Sequence, residues 1–334
     1  MKPTMEDLRA LPAAAVQACV AACAESRYLH EPPFLGDTPG AYLGWRVAED
    51  AQREDARAVA LLDGGEVIGI CVYRLPQWDL EHFGYPVGRL EHLIGRDAAT
   101  LDRLVAWADG VAGRAGVVFA SARLSAEDLA SIHALERAGY RFRELILTPW
   151  IDLAAWQPRG ESLCRWAVAA DEEQLCWIAR RSFRFDRFHN DPRITPRQAD
   201  GVYEHWMRDA LRGGRPTTRV VVLELNGSLA GFAHSEAELA RPHGIPDIWR
   251  GRLAAMHPDF TGRGLGIHLY HGAFDLAKPE AAYVSASFPT RNAPVVRMHQ
   301  KLGSRYSSGG ELTLHRWYRE PRAGRRARVT PARL

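Results

Sequence analysis

Three glycines in five residues, Gly262, Gly264 and Gly266, constrain this chain more than any other feature. Glycine loses more backbone freedom on folding than any other residue, so a cluster of it marks a tight turn rather than the interior of an element. Arg252 to Met256 before them reads as a short strand, and Leu265, Leu269, Ala273 and Leu276 after them recur at the spacing of one helix face. A strand, a glycine turn and a helix start together present unpaired backbone N–H groups and a helix dipole, the combination that attracts phosphate. The stretch is therefore an anion cradle. It matches neither Gly-x-x-x-x-Gly-Lys-Ser/Thr nor Gly-x-Gly-x-x-Gly, so it is not read as a nucleoside triphosphate loop or a dinucleotide fingerprint.

The second constraint is an internal repeat. Adding 164 to first-half numbers sets Phe119-Ala-Ser-Ala122 over Tyr283-Val-Ser-Ala286, Asp128 over Asn292, Gly139 over Gly303, and Arg141-Phe142 over Arg305-Tyr306. Apolar alternation predicts hairpins over 58–75, around Asp63-Gly-Gly-Glu66, and over 219–236. Helices are expected over 5–27, 98–112 and 126–138, a strand over 117–122, and a break at Glu31-Pro-Pro-Phe-Leu-Gly36. Residues 148–165, with two prolines and a glycine, read as the join between the halves. At the same offset Asp97-Ala-Ala-Thr-Leu-Asp102 lies over 261–266 and holds no glycine. Crowding side chains and two carboxylates there would repel phosphate. Only the second half should hold the anion.

The cradle resembles the acetyl-CoA signature of the GNAT superfamily of N-acyltransferases, a strand followed by Gln/Arg-x-x-Gly-x-Gly/Ala. Gly264 and Gly266 fill the glycine positions, and Thr261 stands where Gln or Arg is usual. Ser287 to Gly303 resembles a second signature, Asn-x-x-Ala-x-x-x-Tyr-x-x-x-Gly-Phe, with Asn292, Lys301 and Gly303 in place, His299 for the Tyr and Ser304 for the Phe. The resemblance implies an α/β fold of the α+β kind. Two tandem GNAT-like domains are expected, each a mixed, mostly antiparallel sheet flanked by helices. The first, over 1–155, would be degenerate and lack the CoA motif; the second, over 161–320, would be the acetyltransferase, followed by a basic disordered tail over 321–334. Acetyl-CoA would be the acyl donor, held by Ala254 and Met256 along the pantetheine, by Thr261, Gly262, Arg263, Gly264, Leu265, Gly266 and Ile267 at the diphosphate, and by Asn292, which also fits a helix N-cap.

Phe183 to Ile194 alternates aromatic, basic and acidic residues, and the helix from Arg197 to Leu211 follows it. Together with Trp78-Asp-Leu-Glu-His-Phe-Gly84, the segments Arg187-Phe-His-Asn-Asp191 and Tyr203-Glu-His-Trp206 resemble the TDP-fucosamine acetyltransferases, which acetylate the amine of a nucleotide-linked amino sugar. That resemblance implies acceptor contacts from Arg187, His189 and Asp191. For the chemistry, Glu236 is the candidate general base, with Glu238 and His234 nearby. His299 is the candidate acid toward the leaving thiolate, as a neutral N–H donor or as an imidazolium. Other readings stay open: a mycothiol-synthase-like or antibiotic-modifying tandem enzyme, or a CoA-binding protein without catalysis.

Composition removes other classes. A formal charge of +3, from 43 basic and 40 acidic residues, with no basic stripe interleaved with aromatics, does not describe a nucleic-acid partner. Apolar runs fall short of the roughly 18 residues that a span needs, so no membrane partner and a cytoplasmic location are expected. Cys19, Cys23, Cys71, Cys164 and Cys176 lack metal-ligand spacing, and no metal is expected. The partner is a small-molecule amine. Oligomeric state is not legible.

Overall fold

The computed structural model describes residues 3–23, 39–158, 162–213, 216–238, 246–307 and 309–320, which divide into two compact units. The first takes 3–23, 39–143 and 312–320, and the second takes 144–311. The first half contributes β1 (Thr4–Asp7), α1 (Ala13–Cys23), α2 (Pro39–Ala51), β2 (Ala56–Asp63), β3 (Glu66–Arg74), α3 (Gln77–Phe83) and β4 (Val87–Gly95). It continues through α4 (Ala98–Arg114), β5 (Phe119–Ser125), α5 (Leu129–Arg137) and β6 (Arg141–Leu147). The second half runs β7 (Trp150–Asp152), β8 (Cys164–Trp166), α6 (Glu172–Ser182), α7 (Pro196–Arg212), β9 (Thr218–Leu225), β10 (Ser228–Glu238) and β11 (Ile248–Met256). It closes with α8 (Gly266–Ala277), β12 (Tyr283–Ser285), β13 (Phe288–Pro289), α9 (Ala293–Lys301) and β14 (Glu311–Trp317). The sheets are mixed, mostly antiparallel and flanked by helices, as expected.

Local chemistry explains the framework. Gly64 and Gly65 both take positive φ (59° and 89°), the type I′ geometry that joins twisted antiparallel strands in two residues. Asn226 and Gly227 repeat it at 50° and 76°. Both halves then pair one central strand with a parallel neighbour: β4 with β5 from Val87↔Phe119 to Leu90↔Ala122, and β11 with β12 from Ile248↔Tyr283 to Arg250↔Ser285. Asp128 and Asn292, 164 apart, cap α5 and α9 with nearly the same backbone, φ −82°, ψ 67° and φ −82°, ψ 68°. Each side-chain oxygen accepts from the third residue on, Ser131 N at 3.2 Å and Val295 N at 3.4 Å. In the first unit Leu101, Leu104, Val105, Ala120 and Leu135 pack on one side of the sheet. Val16, Val20, Leu43, Val47 and Ile70 belong to a separate core. In the second unit Leu269, Ala273 and Phe274 of α8 meet Val221, Leu223 and Trp249 of the sheet.

Two expectations are corrected. Residues 4–7 are a strand paired with β2, and the helix starts only at Ala13, because Pro12 cannot sit inside a helix as a donor. The divide between units also differs from 155/161. Residues 150–152 pair with β12 (Tyr283↔Asp152), so the join contains a strand of the second sheet, ordered β7-β12-β11-β10-β9-β8. At the far end β14 lies next to β5, giving the first sheet the run β1-β2-β3-β4-β5-β14. Burial explains it: Leu314 is 1% exposed in the first unit's core, and Arg316 and Tyr318 both reach Asp109 of α4, at 2.6 and 2.9 Å. The expected break at 31–36 and the tail from 321 lie outside the described residues.

Leu314→Ala is expected to cost about 2–5 kcal/mol in urea unfolding, the range for a Leu truncated in a packed core. A loss below about 0.5 kcal/mol would show that β14 is not part of that core.

Candidate active site

The site begins where two strands part. After Arg250↔Ser285 the pairing of β11 with β12 stops, while β10 continues to pair with β11 as far as Gly231↔Met256. Beyond Ser285 the chain turns away: Ala286 N–H donates to Pro149 O at 3.0 Å, and Phe288 pairs with Leu147. On β11 a bulge falls at the same point, with His234 opposite Leu253 and Ser235 opposite Gly251, which leaves Arg252 as the additional residue. Gly251 suits the last contact before the parting, since a Cβ there would lie 3.1 Å from Ser285 O.

His257 N–H donates to Ala230 O at 2.9 Å, which sets the phase of the ladder. Antiparallel pairing turns alternate residues toward the same neighbour, so Ala255 faces β10, while the main-chain groups of Ala254 and Met256 face the side that β12 has vacated. One of these groups is already engaged. Ser182 Oγ, at the end of α6, donates to Met256 O at 3.2 Å.

Nine residues, 257–265, connect β11 to α8. Pro258–Phe260 form a single 3-10 turn, Thr261 is extended, and Gly262 and Gly264 take φ of 81° and 76°, the left-handed region where a side chain is strained. No carbonyl or side chain among the described residues receives the N–H groups of 262–267. Residues 261–264 are exposed, so these donors face solvent at the start of α8. A Cβ on Gly262 or Gly264 would meet nothing within 4 Å, whereas one on Gly266 would approach Met298 Sδ at 3.2 Å. The arrangement fits a diphosphate.

In the first unit only residues 96 and 97 separate β4 from α4. The stretch expected to oppose phosphate by crowding is instead wound into the helix: Asp97 is its N-cap and accepts from Thr100 N at 2.8 Å, and Asp102 pairs with Arg137 at 2.6 Å. Loop length, together with the capping carboxylate, distinguishes the two units.

His299 is 2% exposed on α9. Its Nδ1 lies 2.9 Å from Ser304 Oγ, Nε2 has no hydrogen-bond partner among the described residues, and Tyr270 and Phe288 enclose the ring at 5.0 and 4.9 Å. Burial lowers its pKa to about 4. The ring is neutral near pH 7, which leaves the neutral N–H donor of the two expected forms and removes the imidazolium. Asn292 spends its carbonyl on the cap of α9, and its NH₂ makes no hydrogen bond among the described residues. Glu236 sits on β10 with a half-buried side chain that accepts from Arg252 at 3.2 Å. Glu238, two residues on, pairs with Arg250, so the proposed base lies in a row of alternating charges.

The loop residues expected to touch the acceptor are largely engaged in holding the loop. Asp191 is 1% exposed and accepts from Arg193 N at 3.1 Å, so burial removes it from direct contact with a ligand. Arg187 stacks over Phe188 at 4.4 Å, and its N–H donates to Glu144 at 2.8 Å. His189 is clamped between Asp186 (Nδ1, 2.6 Å) and Asp200 (Nε2, 3.0 Å), and Arg184 also pairs with Asp200. Burial disfavours the charged ring, yet Asp186 and then Asp200 outweigh it and hold the His189 pKa above its ordinary value. Sequence reasoning missed Ser182 and the bulge at Arg252, because neither carries a local signal. The only cue was the glycine at 251.

Residues 172–304 match the model described as Acetyltransferase (GNAT) family. The match lies within the second unit, and the chain is an acyltransferase enzyme. Spore coat polysaccharide biosynthesis protein SpsD of Bacillus subtilis (strain 168) is 22% identical over 262 residues, 74% of this chain and 83% of that protein. A GCN5-related N-acetyltransferase structure from Sphaerobacter thermophilus has a TM-score of 0.65 at 16% identity, covering 95% of this chain and 96% of that one. A tandem GNAT protein from the clavulanic acid biosynthesis pathway has a TM-score of 0.58 at 15% identity, covering 95% and 98%. These two structures share the fold. Among the described residues, no helix is long and apolar enough to cross a membrane, and no group of three or more His, Cys, Asp or Glu is placed to hold a metal.

The His189 clamp has a pH signature. A folded-state pKa raised above about 6.5 contributes stability that is fully present below that value and is lost as pH rises through the folded pKa. The difference in Tm between the protein and His189→Gln is therefore expected to shrink from pH 6 to pH 9. A constant difference would mean that the ring is uncharged in the fold.

Proposed function

We propose that this chain transfers acetyl from acetyl-CoA to the primary amine of a nucleotide-activated amino sugar. The observation that carries the first part is the parting of β11 from β12 beside a turn whose N–H groups, from Gly262 to Ile267, are free. These amides would hold the diphosphate, with Thr261 and Arg263 at its edge. Ala254 and Met256 would pair with the pantetheine as a further strand would, and the Asn292 NH₂ would donate to it. When bound, acetyl-CoA supplies an activated thioester carbonyl.

The chain's own residues then have three tasks. A main-chain N–H on the vacated side of β11 polarises the carbonyl oxygen, a contribution of the oxyanion type. Glu236, half-buried beside Arg252 at 3.2 Å, takes the amine proton through water. His299 stays neutral, fixes the end of α9 through Ser304 and can act only as an N–H donor, so the departing thiolate takes its proton from water. The first unit, with a two-residue connection and a self-capped helix, is proposed to bind no acyl-CoA.

Two features support the amino-sugar acceptor: the 183–206 segment resembles the TDP-fucosamine acetyltransferases, and the relative SpsD is named for polysaccharide biosynthesis. With Asp191 buried, His189 clamped and the Arg187 guanidinium 3.6 Å from buried Glu144, all three are proposed to shape the acceptor loop.

Calorimetry is expected to give one CoA per chain, and Gly264→Glu, which puts a charge and a side chain at φ 76°, is expected to abolish it. Two sites, or normal binding by the variant, would overturn the cofactor assignment. Thioester cleavage with a panel of amines is expected to be fastest with TDP-linked amino sugars, and TDP alone is expected to raise Tm, since a ligand that binds only the folded state stabilises it. Equal rates with unlinked amino sugars would remove the nucleotide from the proposal.

A further inference from the structure

Beside the glycine turn the second unit carries a short ladder of rings. Trp177 on α6 is 39% exposed, and the His257 ring stacks on it at 4.9 Å with an interplanar angle of 20°. Phe260 meets His257 edge-on at 5.8 Å. A guanidinium sits at each end of the ladder: Arg181 lies over Trp177 at 4.3 Å, and Arg263 over Phe260 at 5.4 Å. Both arginines are exposed, and neither is ion-paired among the described residues. Their neighbours are paired: Arg180 bonds Glu204 at 2.7 Å, and Arg184 bonds Asp200.

An arginine seated over an aromatic ring without an ion-pair partner keeps its fork of N–H donors available and partly ordered, which lowers the entropy cost of gripping an anion. Two such arginines, joined by stacked rings to the loop that carries the free amides, form a preset phosphate grip that reaches from α6 to the glycine turn. Packing alone does not account for it, because an exposed Trp with an unpaired cation above it contributes little to stability.

We infer that Arg181, seated on Trp177, is a donor-specificity residue. While Arg263 stays at the edge of the turn, Arg181 binds a phosphate of the nucleotide end of CoA from the α6 side, so that the enzyme selects a nucleotide thioester over one carried on pantetheine alone. The inference rests on acetyl-CoA being the donor. It adds a residue from α6 that the turn itself does not supply.

The test is a titration, followed through Trp fluorescence and repeated by calorimetry, of CoA, 3′-dephospho-CoA and pantetheine against the full chain, Arg181→Gln, Arg181→Lys and Trp177→Leu. Hydrogen bonds to charged groups support an expected loss of at least about tenfold in CoA affinity for Arg181→Gln, with pantetheine affinity unchanged. Arg181→Lys should recover part of the loss, and Trp177→Leu should weaken CoA in the same direction by releasing the arginine. The dephospho-CoA arm locates the contact: if the 3′-phosphate is the group held, Arg181→Gln and the unaltered chain bind dephospho-CoA alike, and if it is the diphosphate, both nucleotides weaken together. Arg181→Gln binding CoA as tightly as the unaltered chain, with its far-UV spectrum and Tm intact, overturns this inference and leaves the donor assignment standing. Failure of the unaltered chain to bind CoA overturns the donor assignment itself.

Discussion

The parting of β11 from β12 is the constraint on which the rest of the second unit depends. A sheet satisfies its backbone by pairing, so two strands that run together for three residues and then diverge expose main-chain groups that ordinary folding would cover. The structure sustains this in particular ways. Gly251 permits the last close contact, the bulge at Arg252 redirects β11, and β12 is drawn toward β7 while the chain beyond it is drawn to β6. Ser182 engages one of the exposed carbonyls. The opening is thus held from both sides.

The two units show how small a change separates a binding frame from a closed one. Both pair a central strand with a parallel neighbour, both carry a bulge in that central strand's antiparallel ladder, and both cap the last helix with a short polar side chain at nearly the same backbone angles. They differ between strand and helix. Nine residues with glycines at positive φ leave N–H donors facing outward, whereas two residues ending in Asp97 let the helix begin at once and cap itself.

Much of this was legible in the sequence, because it is local. Glycine turns, hairpins and N-caps are set by residues within a few positions of one another, and the 164-residue offset carried over to Asp128 and Asn292 with matching backbone angles. The signals that were missed are nonlocal. The place of β14 depends on which sheet buries Leu314, and nothing adjacent in the chain records it. Charge alternation in 183–194 looked like a ligand-facing surface, yet most of its polar groups pair with one another or with Glu144 and Asp200. A His at a family Tyr position suggested an acid. Its environment of Tyr270 and Phe288, which keeps it neutral, comes from other elements and could not be read from α9.

The position of β14 also bears on synthesis. The first sheet has its β1 to β5 strands within the first 125 residues, but the strand that lies next to β5 ends at Trp317. A nascent chain made from the N-terminus therefore carries an open strand edge at β5 from residue 125 until β14 begins at residue 311, and such edges invite unwanted pairing. The closing contact spans 190 residues, so its loop-closure entropy is met late. The first unit, despite being translated first, is completed last.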